Sequence, residues 1–403
     1  MKPSYICGVI KFAIMKRIFE DTATAFSLKS DSELERAYFL FKLIANEPLV
    51  RIGTAVTNFA IKAHLPVEGL IRATVFDHFC GGVTEKDCIP VIEKMFEKGV
   101  SSVLDYSVEG KEEEAQFDFA LTKTLETIKY VKEMEAIPFA VFKPTGLGRL
   151  ALYEKVGQGD VLSTAEKEEW ERVVARFDAA CKRAYEMDIA LLIDAEESWM
   201  QDAADDLVQD MMFKYNKEKA VVFNTLQLYR WDRLDYLKKL QQDAETRNYV
   251  IGVKVVRGAY MEKENERAEE QGYKSPICAS KEATDVNFDE VVAYIMEHLG
   301  RIVIFAGTHN EESCYKLIEI MKAKGLANND PRVFFGQLYG MSDHISFNLS
   351  AEGYHVAKYL PFGPVKDVMP YLIRRAEENT SVAGQTTREL FLIKNERKRR
   401  KLD

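Results

Sequence analysis

The sequence is short of several features that would have named a function outright. It has six cysteines in 403 residues, Cys7, Cys80, Cys88, Cys181, Cys278 and Cys314, and no two form a C-x-x-C pair. Set among apolar neighbours, they read as reduced, buried thiols of an intracellular protein. No apolar run approaches the ~20 residues a membrane-spanning helix needs. No second histidine or cysteine stands at ligand spacing from His309, so no metal site is expected. The dinucleotide fingerprint G-x-G-x-x-G is missing. "GLG" at Gly146 lacks the third glycine, which argues against an open doubly wound sheet. Positive charge is not in excess: the net charge is −9, which disfavours a nucleic-acid partner. Internal repeats and low-complexity segments are not evident. The start, "MKPSYICGVIKFAIMKR", is weakly signal-like, but Lys11 interrupts its apolar run and no cleavage site is clear. Met15 is an alternative start, and no Arg-rich, acid-poor presequence is convincing.

What is present is ordinary globular composition, 47% hydrophobic and 30% charged. Residues from about 20 to 95 carry helix-period apolar positions, with Ser30 or Asp31 as a cap. The texture then changes. Eight short β-rich runs follow, beginning near Ser101, Ile137, Ile189, Ala220, Tyr249, Arg301, Arg332 and His355. Each precedes a polar amphipathic stretch. The runs are apolar on both faces, as buried parallel strands are. Eight such units match the size of a (βα)8 barrel. The expected fold is therefore α/β, a distorted TIM-like (βα)8 barrel over 96–380, preceded by an N-terminal helical segment over 1–95. Residues 381–403 form a basic C-terminal tail.

In such a barrel the active site lies where the strands end. The run ends offer Asp105 and Glu109, then Lys143, then Asp194 with Glu196 and Glu197, then Asn224 and Gln227. Next come Lys254, Arg257 and Tyr260, then Thr308, His309 and Asn310, then Gln337, Leu338 and Tyr339, and last Tyr359. Polar groups at nearly every strand end imply a lined pocket. Lys143 and Lys254 admit two readings, Schiff-base lysines or electrostatic partners of Asp194. The partner reading is preferred. His78 in "HFC" reads as core packing near a turn, and Trp170, Trp199 and Trp231 as packing residues. In "YLIRRAEEN", Tyr371, Arg374, Arg375 and Glu378 are spaced i, i+3, i+4, i+7 and share one helical face. Two adjacent guanidiniums there suit a small carboxylate. A surface salt-bridge set with Glu377 and Glu378 is the bland reading, and the residues alone do not separate the two.

The motifs "DYSVEG", "FKPTGLG", "LLIDAEES", "VVFNTLQLY", "KVVRGAYM", "GTHN", "GQLYGM", "KYLPFGP" and "PYLIRRAEEN" stand in the order found in proline dehydrogenases. The resemblance covers roughly Phe76 to Asn379 and is to the monofunctional, FAD-dependent enzymes. It implies oxidation of L-proline to Δ1-pyrroline-5-carboxylate by hydride transfer to flavin N5, with electrons passed to a membrane quinone. By resemblance, Arg374 and Arg375 clamp the proline carboxylate beside Lys143, and Glu378 orients an arginine. Asp194 lies in the pocket, Tyr260 and Tyr371 form its aromatic wall, and Leu338 and Tyr359 pack on the proline ring. Asn224, Lys254, Arg257, Gly258, Thr308, His309 and Asn310 resemble flavin contacts, with Gln227 able to share the one at Asn224. Lys281 and Thr284 match the adenine side. Lys254 departs from relatives with arginine there, and Tyr359 favours proline over hydroxyproline because its bulk crowds a ring hydroxyl. A hydroxyproline or other secondary-amine dehydrogenase is the alternative within the family, and a Schiff-base lyase the alternative outside it. The tail "NERKRRKLD" reads first as a disordered solubilising end and second as a peripheral contact with anionic lipid. A bacterial chain would be cytoplasmic or peripheral to the inner membrane, and a eukaryotic one mitochondrial.

Overall fold

Eight parallel strands close a barrel in chain order in the computed structural model, which describes residues 17–46, 48, 68–106, 112–381 and 385–402. They are β1 (Val100–Tyr106), β2 (Phe139–Phe142), β3 (Ala190–Ile193), β4 (Val222–Gln227), β5 (Ile251–Val256), β6 (Ile302–Gly307), β7 (Val333–Leu338) and β8 (Val356–Phe362). All eight expected runs are strands. The pairing is uneven: β1 lies against β8 from Val100–Val356 through Tyr106–Phe362, whereas β1 meets β2 only at Val103–Phe139. The barrel is distorted, as expected.

Strand side chains alternate between the barrel interior and the helical layer. Inward residues Val103, Phe139, Val141, Leu192, Phe223, Phe305, Ala357 and Tyr359 form one apolar cluster. Phe139 meets the edges of Phe305, at 5.2 Å, and Phe334, at 4.9 Å, and this aromatic plug fills the interior below the strand ends. Outward residues such as Leu104, Leu191, Leu226, Val253, Ile304 and Leu360 join the larger core beneath the helices. Each fully buried side chain of this kind contributes about 1.5–3 kcal/mol.

The helices used below are α1 (Asp31–Ile44), α2 (Glu85–Phe96), α3 (Glu114–Lys132), α4 (Leu150–Gln158), α5 (Thr164–Met187), α6 (Ser198–Tyr215) and α7 (Arg233–Arg247). They continue with α8 (Met261–Gln271), α9 (Lys281–Glu297), α10 (Glu311–Ala323), α11 (Asp343–Ala351), α12 (Met369–Ser381) and α13 (Gln385–Arg400). Reciprocal capping boxes start α1, with Ser30 and Glu33, and α5, with Ser163 and Glu166. Each satisfies two backbone donors that a helix start leaves open.

The described part of the basic tail, residues 385–402, is ordered. Residues 395–400 end α13, which packs on α1 through a cluster of Phe26, Leu34, Ala37, Phe41, Leu392 and Ile393. Charge fixes the docking: Arg397 pairs with Glu35 at 2.6 Å, and Arg400 donates to the carbonyls of Phe26 and Lys29. A basic run facing an acidic helix has reason to order. Among the described cysteines all are free; four are buried and Cys278 is half-buried rather than buried. Trp170 packs edge-on to Tyr153 and Trp199 lies beneath Arg267, while Trp231 is half exposed. His78 is half-buried and donates to the Gly340 carbonyl. No helix among the described residues is long and apolar enough to cross a membrane. The alternative start at Met15, and Glu109, lie outside the described residues.

Candidate active site

Strand parity sorts the predicted residues. Lys254 shares the inward side of β5, and its ammonium forms an ion pair with Asp194, which follows β3. It also donates to the Tyr359 hydroxyl at 2.7 Å and sits 4.5 Å from that ring's centroid. Lys254 and Tyr359 are buried, Asp194 half-buried. The electrostatic-partner reading of Lys254 therefore holds. Burial, with the charges of Asp194 and Asp105 nearby, pushes the Tyr359 phenol well above its ordinary value. It stays a neutral donor.

Lys143, half-buried, follows β2 directly. Its charge acts on Glu196, a buried carboxylate that accepts from the Thr145 backbone at 2.9 Å and the Thr145 hydroxyl at 2.6 Å. Burial raises Glu196 to about 7, against those hydrogen bonds and Lys143, which lower it. Glu196 was visible only as a strand-end acid. Its desolvation depends on the turn after β2 folding over it, which no local pattern announces.

At the ends of β5 and β6, Arg257 donates to Asp285 and to the Thr308 hydroxyl, both at 2.7 Å, and to Ser313 at 3.0 Å. Lys281 reaches the same Asp285 at 2.9 Å, and the buried Thr284 lies one turn along α9. Asn310 is spent locally: its side chain caps α10 by accepting from Ser313 N. Gly258 is exposed at φ +129°, and a Cβ there would stand 2.4 Å from the Tyr229 ring. That position admits only glycine, because the Tyr229 ring fills the space a Cβ would take and the positive φ disfavours any other residue. His309 contacts the Ser342 hydroxyl through Nδ1 at 2.9 Å and accepts from Leu338 N at Nε2, 3.4 Å. Loss of hydration, together with the charges of Lys358 and Arg375, lowers His309 to about 3, so it is neutral.

After β8, α12 carries Tyr371 and Arg375 buried and Arg374 half-buried, with the Arg375 guanidinium 5.3 Å from the Tyr371 ring. Val368, Tyr371 and Leu372 pack with Phe76, Phe79 and Met341, and Leu338 bridges this cluster to the barrel interior. The helix face holding the arginines is thus a packed one, not a solvated one. Tyr260, also buried, opens α8 beside the Lys263 ammonium. The Glu378 side chain lies outside the described residues.

Asn224 is the exception. Its amide donates to Asp205 at 3.0 Å and to Tyr236 at 3.1 Å, on α6 and α7. It belongs to the helical layer behind β4, not to the barrel mouth. The inward polar residue of β4 is Gln227, which donates to the Glu196 carbonyl at 2.6 Å and accepts from Ala259 N. A strand one residue out of phase presents the opposite face. Among the described residues no cluster of His, Cys, Asp and Glu could hold a metal.

The comparisons with known proteins bear on the family and the fold. The family model described as proline dehydrogenase matches residues 88–388. The carbapenem antibiotics biosynthesis protein CarD of Pectobacterium carotovorum subsp. carotovorum is 37% identical over 362 residues, 89% of this chain and 94% of that one. Proline dehydrogenase 2, mitochondrial, of Arabidopsis thaliana is 29% identical over 427 residues, covering 94% of this chain and 90% of that one. Among solved structures, proline utilization A (PutA) from Bdellovibrio bacteriovorus, inactivated by N-propargylglycine, superposes with a TM-score of 0.70 at 19% identity. That likeness shows the fold. It covers 91% of this chain and 39% of the PutA chain, so this chain spans about two fifths of that protein's length. With the family match running through the barrel and α12, the chain belongs to the proline dehydrogenase family.

Proposed function

We propose that this chain oxidises L-proline to Δ1-pyrroline-5-carboxylate, with FAD as its resident acceptor and a membrane quinone as the final one. The observation that carries the reading is convergence. Lys254, Asp194 and Tyr359 form one buried set inside the barrel, Leu338 packs against both that interior and the Tyr371 helix face, and the charge of Arg375 acts on His309 beyond the end of β6, which supports a shared pocket. Curated relatives named proline dehydrogenase support the substrate class.

Arg374 and Arg375 would bind the proline carboxylate, with Lys143 as a third cation. Leu338 and Tyr359 would pack on the ring. Lys254 holds the Tyr359 hydroxyl in place at 2.7 Å, so the phenol cannot readily swing aside for a ring hydroxyl. That favours proline over hydroxyproline. The residues present fit a flavin: the cations Lys254 and Arg257 stand on and just after β5, Arg257 meets the Thr308 hydroxyl after β6, and the exposed Gly258 follows Arg257. Lys281 and Thr284 are candidates for its adenine end. When bound, the flavin supplies the acceptor for the hydride leaving the ring carbon next to nitrogen. A cation in a dry site stabilises negative charge accumulating there, and Lys254 would do so. The ring nitrogen must be neutral when the C–H bond breaks, so that its lone pair can form the C=N bond.

Passing electrons to a membrane quinone would make the chain peripheral to a membrane. The relatives named mitochondrial are consistent with that setting. The test is an anaerobic absorbance spectrum before and after L-proline. A flavin spectrum that bleaches with proline, and less readily with hydroxyproline, supports the reading. A protein that stays colourless after FAD is supplied overturns it and returns attention to Lys143.

A further inference from the structure

The loop joining β7 to α11 is held from several sides by buried groups. Lys358, fully buried on the outer face of β8, donates to the carbonyls of Met341 at 2.6 Å and Leu338 at 3.4 Å. Asp343 lies between Lys358, at 2.9 Å, and Lys29, at 3.0 Å. Ser342 sits at φ +51°, a left-handed conformation costly for a residue with a side chain. Its N–H donates to Glu389, a buried carboxylate on α13. Its hydroxyl meets Nδ1 of His309 at 2.9 Å.

These bonds fix a tautomer. Leu338 N–H donates to Nε2 of His309, so Nε2 carries no proton. A neutral ring then holds its proton on Nδ1 and donates it to the Ser342 hydroxyl. Glu389 holds Ser342 in its strained conformation, and Ser342 in turn orients the imidazole. We propose that α13 is a positioning element of the active site, with Glu389 acting through Ser342 to set the orientation and tautomer of His309. Nothing in the local sequence links residues 342 and 389, yet the C-terminal helix reaches the candidate flavin side through them. The inference rests on the flavin reading only for what His309 faces.

The test uses the full chain with ¹⁵N-labelled histidine. There are six histidines, and the His309 ring is assigned by loss of its signals in His309→Gln. The wild type should show a pyridine-like Nε2 and a pyrrole-like Nδ1. Two variants separate positioning from folding. Ser342→Gly removes the hydroxyl but welcomes φ +51°, so its melting temperature should hold or rise. Its His309 nitrogen shifts should nonetheless converge toward a tautomer mixture. Glu389→Gln should move the same signals in the same direction, and kcat for proline should fall about tenfold in both with a smaller change in KM. Arg399→Ala, a half-exposed residue on the same helix, should leave the His309 signals in place. His309 signals unmoved in Ser342→Gly and Glu389→Gln, or an Nε2 protonated in the wild type, would overturn the proposal. Because the spectrum is read without proline, it decides this point even if the proposed activity fails.

Discussion

The chain buries two charge networks on adjacent strands, and they do different work. The first joins Lys254, Asp194 and Tyr359 inside the barrel mouth. The second joins Arg233 and Asp205, at 2.8 Å, with Asn224 and Tyr236 between β4 and the helices α6 and α7. Lys254 is 5% exposed and Asp205 2%, so depth of burial does not distinguish them. What distinguishes them is the side of the strand. Thr225 lies opposite Lys254 in the β4–β5 register, so Asn224 is one residue away from facing the same space. In a barrel that one-residue step separates a group that faces the interior from a group that fastens a helix.

The largest expected break in this comparison is at the mouth. Arg375→Met should lower kcat/KM for proline by roughly a hundredfold, about 3 kcal/mol, chiefly through KM, with the bound flavin spectrum unchanged. Steady-state kinetics with flavin absorbance checks this. Next is the desolvated Glu196. Its folded value of about 7 lies above the ordinary 4.5. Its stabilising contribution is therefore complete below pH 4.5 and is lost as pH rises through about 7. Glu196→Gln should flatten the melting-temperature profile across that window, by on the order of 2 kcal/mol. Parallel profiles for the variant and the wild type would rule out the raised value. The smallest effect is at Asn224. Asn224→Ala should cost about 1–2 kcal/mol of stability, from lost buried hydrogen bonds, without weakening flavin binding. Flavin loss at unchanged stability would return Asn224 to the mouth.

Much of this was legible in the sequence because barrels write their plan locally. Each β-rich run became a strand of the closed barrel. The Asn224 expectation failed for a physical reason. "AVVFNTLQ" is apolar on both faces, so it has no alternation to say which residues point inward. Its parity is fixed only by closure with β3 and β5. The order of the tail is not legible in its nine basic-rich residues, because the partners of the preceding Leu392 and Ile393 lie on α1 more than 350 residues earlier. The Ser342–Glu389 contact was invisible for the same cause: a strained serine and a buried acid have no signature until the chain ends are brought together.

The most direct measurement pairs Asp194→Asn with Asp205→Asn, reading proline-dependent flavin bleaching and thermal melting in each. Asp194→Asn should lose most of the bleaching rate, along with some stability because the buried Lys254 loses its carboxylate partner. Asp205→Asn, which leaves Arg233 short of a buried partner, should lose about 3 kcal/mol of stability while its folded fraction bleaches at the wild-type rate. An unchanged bleaching rate in Asp194→Asn, or a bleaching rate that falls equally in both variants, would contradict the assignment of function to the inner face and of stability alone to the outer.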